Sequence, residues 1–179
     1  NLFGLFIKNF VLILLSFAFI FSACKEEKVA LSPERIRIEK DKVLETIKAF
    51  HTAYEKKDFG SMIPTLAGEV VFFGTDSGEV ITTFSDYKQK MLEQWQEYDI
   101  MKYGEPYDVF IEMDPFGNFA SIIYGVQLYV KKQNYENTYQ VRAARTLRRE
   151  KDKWVIVSGI VSIPRSPTET QAGTKNIQQ

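Results

Sequence analysis

Arg145 is the residue whose position most clearly calls for chemistry. Over residues 139–150, Tyr139, Val141, Ala143 and Leu147 share one parity of an extended chain and make an apolar face. Arg145 falls on that same face. A guanidinium at a core-facing place needs an anion or water, so it implies a ligand anion, an ion pair with Asp76 or Glu112, or a path to the rim. Arg142 is on the opposite parity and reads as a surface charge. Asp76 follows Gly74-Thr75 at the end of an apolar run. It can serve there as a proton acceptor or, more simply, cap the turn at Ser77-Gly78. Tyr54, Trp95, Tyr98 and Tyr124 supply aromatic surface for a pocket mouth or for an ordinary core. His51 is the one histidine and is expected beside the apolar stripe of its helix. No metal-ligand spacing, nucleophile with its base, or phosphate-cradling glycine loop is visible, so neither metal nor cofactor is expected.

The elements that must position these residues are helices first and strands afterwards. Val43, Ile47, Phe50 and Tyr54 recur at helical spacing, behind Ser32-Pro33-Glu34, a good N-cap with proline at the first helical position. A short second helix is expected over 59–67, kinked or ended by Pro64. Residues 69–74 read as a strand. Ser85-Asp86 then caps a third helix carrying Tyr87, Met91, Leu92, Trp95 and Tyr98. From Tyr103 the period becomes two, with Tyr107, Val109, Ile111 and Met113 on one face. Turns at 114–118, 133–134 and 151–152 separate strands over 119–132, 139–150 and 153–163. Short turns between consecutive strands imply an antiparallel meander, and the whole an α+β domain.

The ends of the chain carry a different message. Residues 10–23 are almost unbroken apolar sequence, and Lys8 is the only charge before Lys25. A basic start, a short apolar run and small residues describe a secretory signal, since a spanning helix needs about 20 apolar residues. Phe21-Ser22-Ala23-Cys24 resembles a lipobox, with Phe21 where leucine is usual. On this reading residues 1–23 are a lipoprotein signal peptide, and Cys24 becomes a lipidated N-terminus in the bacterial cell envelope, periplasmic or surface-exposed. Residues 24–33 are a charged tether, 34–164 one domain, and 165–179 a polar tail expected to be disordered. With 23 basic and 23 acidic residues in the chain, no basic footprint for nucleic acid is present.

The order of elements resembles the nuclear transport factor 2-like cone: three N-terminal helices packed on a curved antiparallel sheet. Three local motifs resemble its SnoaL-like branch: Ala49-Phe-His-Thr-Ala-Tyr-Glu-Lys-Lys-Asp58; Val70-Val-Phe-Phe-Gly-Thr-Asp76 with Glu79; and Trp154-Val-Ile-Val-Ser158. The resemblance implies a pocket between sheet and first helix, and a homodimer through the sheet. It places Asp76 where related enzymes hold a catalytic acid. It places Arg145 where the association domain of calcium/calmodulin-dependent kinase II has a pocket arginine. Histidines that the family often carries four and six residues after the strand tryptophan are replaced here by Ser158 and Ile160, and an aliphatic residue cannot relay a proton.

Two functions follow as expectations. The first is a lipid-anchored, non-catalytic module that binds a small molecule or a protein, with Arg145, Tyr54, Trp95, Tyr98 and Tyr124 at its site. The second is a small isomerase or dehydratase using Asp76 as base and Arg145 or Tyr124 to stabilise an enolate.

Overall fold

The computed structural model describes residues 29–75 and 78–164. The expected signal peptide, Cys24, most of the expected tether, the expected tail and Asp76 lie outside them. The folded unit starts at Leu31, whose N–H donates to Pro115 O at 2.8 Å.

Helix α1 spans Pro33–Glu55. Ser32 caps it by accepting from Arg35 N at 3.3 Å, and Pro33 supplies a preset φ where no helical hydrogen bond is lost. Its buried stripe is Glu39, Val43, Ile47, Phe50, His51, Ala53 and Tyr54. His51 therefore lies on the stripe rather than beside it. Helix α2 is one turn, Phe59–Met62, capped by Asp58, and a 3₁₀ turn carries Pro64 at Ile63–Thr65. Leu66 and Ala67, expected in this helix, already belong to strand β1, Leu66–Phe73, because proline ends the helix and Leu66 is extended. After the short β2, Val80–Ile81, helix α3 runs Phe84–Glu97. Thr83, not Ser85, is its N-cap, accepting from Asp86 N. Tyr87, Met91 and Trp95 are its buried face, while Leu92 is exposed. The α3 C-terminus is tied to α1 through Lys57 Nζ, which donates to Trp95 O at 2.6 Å and Tyr98 O at 2.5 Å. That ammonium satisfies free carbonyls at the negative end of the helix.

The remaining strands are β3, Ile100–Tyr103; β4, Tyr107–Met113; β5, Phe119–Lys132; β6, Tyr135–Glu150; and β7, Lys153–Ser162. They form one seven-stranded sheet in the order β2-β1-β7-β6-β5-β3, with β4 also on β5. The sheet is mixed, which corrects the wholly antiparallel expectation: β1 lies parallel to β7, Phe72 opposite Gly159 and Phe73 opposite Ile160. An N-terminal strand and the C-terminal strand meet only once the sheet curls, and no local turn dictates their sense.

The core between α1, α3 and the sheet includes Val43, Ile47, Val70, Ile122, Val126, Leu147 and Ile156. One acid is buried in it. Glu39, 1% exposed, accepts from Trp154 Nε1 at 2.9 Å and is flanked by Arg35 at 2.9 Å and Lys42 at 3.0 Å. Burial alone would raise its carboxyl, but the indole and the nearby cations outweigh that and hold it below the usual carboxylate value.

Candidate functional site

Between α1, α3 and the inner face of the sheet the packing leaves a cavity of about 430 Å³, within the usual range for small-molecule sites. Phe50 and Tyr54 of α1, Phe72 of β1, Tyr87 of α3, Tyr103 of β3 and Arg145 of β6 all line it. The aromatic wall is coherent: Phe72 stacks on Tyr87 with centroids 4.7 Å apart, and Tyr54 meets Tyr103 edge-on at 5.5 Å. Tyr54 O–H donates to Gln94 Oε1 at 2.8 Å, which fixes that ring at the α3 side.

Arg145 is 7% exposed. Its Nη1 donates to Ile160 O at 3.1 Å and Ala144 O at 3.3 Å. Its Nε is buried without a partner. Phe72 supports the guanidinium with its ring face, 5.1 Å from Cζ to centroid. Space for the side chain comes from Gly159, directly across the ladder: a Cβ there would come within 2.3 Å of Nη1 and 2.5 Å of Cδ. No carboxylate among the described residues pairs with Arg145. Glu112, one partner expected for it, sits exposed on β4.

The histidine and the tyrosines around this cation are neutral. His51 is 5% exposed, and burial together with the Arg145 charge lowers its pKa to about 3. Its Nε2 is hydrogen-bonded to Tyr124 Oη at 3.0 Å, and its ring stacks on Tyr103 at 4.0 Å. Burial pushes the phenols of Tyr54, Tyr87, Tyr103 and Tyr124 upward, so all four remain protonated.

Of the residues singled out in the sequence, Arg145, Tyr54 and Tyr98 meet at this cavity. Trp95 and Tyr124 are buried but are not among the residues lining it. Trp95 packs edge-on against Tyr54 at 6.0 Å, and Tyr124 holds His51 from behind. Sequence reasoning named Glu79 only as part of the second motif and gave it no role; it lines the cavity, its carboxylate accepts from Thr75 N at 3.0 Å, and it lies 3.8 Å from Lys90 Nζ. It occupies the space over Gly74 that a Cβ would fill, so the Gly74…Glu79 spacing was the available signal. Phe72, Tyr87 and Tyr103 were missed as lining residues because their stripes read equally well as core. Among the described residues no cluster of His, Cys, Asp or Glu is arranged to hold a metal, and no helix is long and apolar enough to cross a membrane.

The SnoaL-like domain family matches residues 43–166 of the chain. No curated protein matches it. Among solved structures, a candidate dehydratase of the NTF2-like family from Streptomyces avermitilis aligns with TM-score 0.64 at 16% identity, over 73% of this chain and 99% of that one. A candidate scytalone dehydratase from Novosphingobium aromaticivorans aligns with TM-score 0.68 at 7% identity, over 75% and 89%. A candidate calcium/calmodulin-dependent protein kinase II association domain from Xanthomonas campestris aligns with TM-score 0.61 at 14% identity, over 69% and 86%. At these identities the likeness is one of fold: three helices packed on a curved mixed sheet.

Proposed function

The chain belongs to the SnoaL-like domain family, and on that premise we propose that it is a non-catalytic module that binds a small molecule, held in the cell envelope through a lipidated Cys24. The observation that carries the reading is a cavity walled by aromatic rings with a buried cation in it and no histidine among its lining residues. His51, the chain's one histidine, is turned into Tyr124 and held neutral, so it neither lines the cavity nor takes a proton near neutral pH. The test is thermal unfolding in the presence of small carboxylates, steroids, fused aromatics and sugars. A ligand that binds only the folded state adds about 2.7 kcal/mol at a hundredfold excess over Kd. A chain that none of them stabilises is not a small-molecule binder of this kind.

Cys24→Ser should abolish incorporation of labelled palmitate and release the protein from the membrane fraction.

Self-association through the sheet belongs to the same proposal. Phe73, Ile160, Ala144, Ile123 and Phe110 are successive cross-strand partners. Phe73, Ile160, Ile123 and Phe110 are each about half exposed or more. An apolar row of this kind across a sheet face marks an interaction surface, and a second copy of the chain supplies a self-complementary one.

One observation favours the enzymatic reading. The Glu79 carboxylate and the Arg145 guanidinium line one cavity, an acid–cation set of the kind that enolate chemistry needs, and two neighbours in fold are candidate dehydratases. Turnover of any ligand found, lost in Asp76→Asn or Glu79→Gln, would replace the binding reading with this one.

A further inference from the structure

The buried guanidinium has a definite unmet need. A cation that is more than nine-tenths buried requires a counter-charge or full hydrogen bonding, yet Arg145 has neither among the described residues. Its Nη1 is committed to two backbone carbonyls, and its Nε is unpartnered. The nitrogen left to meet a ligand is Nη2, which has no hydrogen-bond partner among the described residues and can donate a charge-assisted hydrogen bond to a carboxylate, while Nε stays enclosed by protein. The side chain is also immobilised in advance, by the Phe72 ring face and by the space above Gly159. Little rotamer freedom remains to be lost on binding.

The other walls limit what carries that anion. Phe50, Tyr54, Phe72 and Tyr103 make the body of the cavity aromatic, and its volume suits a molecule of one or two rings. Glu79 does not answer the Arg145 charge, being held by Thr75 N and near Lys90. Its negative charge in the same cavity disfavours a second carboxylate on the ligand. We propose that the cavity is a receptor site for an aromatic monocarboxylate, with the carboxylate on Arg145 and the ring among Phe50, Tyr54, Phe72 and Tyr103. This rests on the reading of the domain as a small-molecule binder and specifies its ligand class.

The test uses matched pairs of probes on the full chain purified in detergent: 2-naphthoate against 2-naphthamide, and phenylacetate against phenylacetamide, by thermal unfolding and calorimetric titration. At least one acid should bind about tenfold or more tightly than its amide, because only the acid meets the guanidinium as a charged pair. Arg145→Lys, which keeps the charge but loses the planar guanidinium seated on Phe72 and the two backbone carbonyls, should weaken that acid by about tenfold. Arg145→Gln should remove the difference between acid and amide. The wild-type comparison stands even where a variant fails to fold. An amide that binds as tightly as its acid overturns the anion inference and leaves the binding module intact. Silence from all four probes, with a neutral ligand found in the wider screen, overturns it likewise. Silence throughout overturns both.

Discussion

Gly159→Ala tests how Arg145 is held without touching Arg145 itself. The added methyl would lie 2.3 Å from Nη1 and 2.5 Å from Cδ, with Ala144 O at 3.0 Å. Ordinary contact is about 3.5–4.0 Å, so the guanidinium must move by about 1 Å or more. The two hydrogen bonds at 3.1 and 3.3 Å do not survive that displacement. Losing hydrogen bonds from a charged, buried donor costs about 1.5–3 kcal/mol each at most. Replacing glycine by alanine within a strand returns about 0.5–1 kcal/mol. The net expectation is a loss of about 2–5.5 kcal/mol, measured as a fall in urea midpoint at constant m-value. A double-mutant cycle isolates the contact: in an Arg145→Ala background the same Gly159→Ala change should cost less than about 1 kcal/mol. Equal costs in both backgrounds would falsify the lodging of Arg145 over Gly159, and with it the argument that the cation is preorganised.

His51 gives a second test, because its folded pKa is lowered to about 3 while the unfolded value is about 6.5. The unfolded chain then binds more protons between those values, so stability should fall with falling pH by up to about 1.4 kcal/mol per unit. The single histidine resonance should not titrate above pH 4 in the folded protein, and a midpoint near 6 would contradict the burial. Glu39, whose folded pKa is lowered, contributes stability that is present above its unfolded pKa and lost as pH falls through the folded one. Glu39→Gln keeps an acceptor for Trp154 Nε1 and should cost less than Glu39→Ala, which strands a buried indole donor at about 1–3 kcal/mol; urea unfolding followed by tryptophan fluorescence compares them. Ile160→Asp and Ile123→Asp should convert a sedimenting dimer to monomer while leaving circular dichroism unchanged, and a wild-type monomer at micromolar concentration would remove the sheet-face proposal.

Local rules reach far into this fold. The Ser32-Pro33 start of α1 follows from short-range sterics and capping, and its apolar stripe from the 3.6-residue period. The parity that turns Arg145 inward follows from the two-residue period of β6, and the proline at position 64 ends α2 where a ring cannot continue a helix. Each of these depends on neighbours within a few residues, which is why they are legible in one chain without its partners.

Contacts between distant segments decided the remainder. The parallel pairing of β1 with β7, the burial of His51 against Tyr124 across 73 residues, and Trp154 on Glu39 across 115 have no local signature. Period alone cannot tell a cavity wall from a packed core, so Phe72, Tyr87 and Tyr103 could not be separated from Val70 or Ile47 in advance. That a cation faces inward is legible in the alternation of β6; that Gly159 and Phe72 seat it, and that the described residues leave it without a carboxylate, emerges only where distant strands meet. The reason is physical: side-chain direction is set by backbone period, whereas the company a side chain keeps depends on how the sheet curls and which strands then meet.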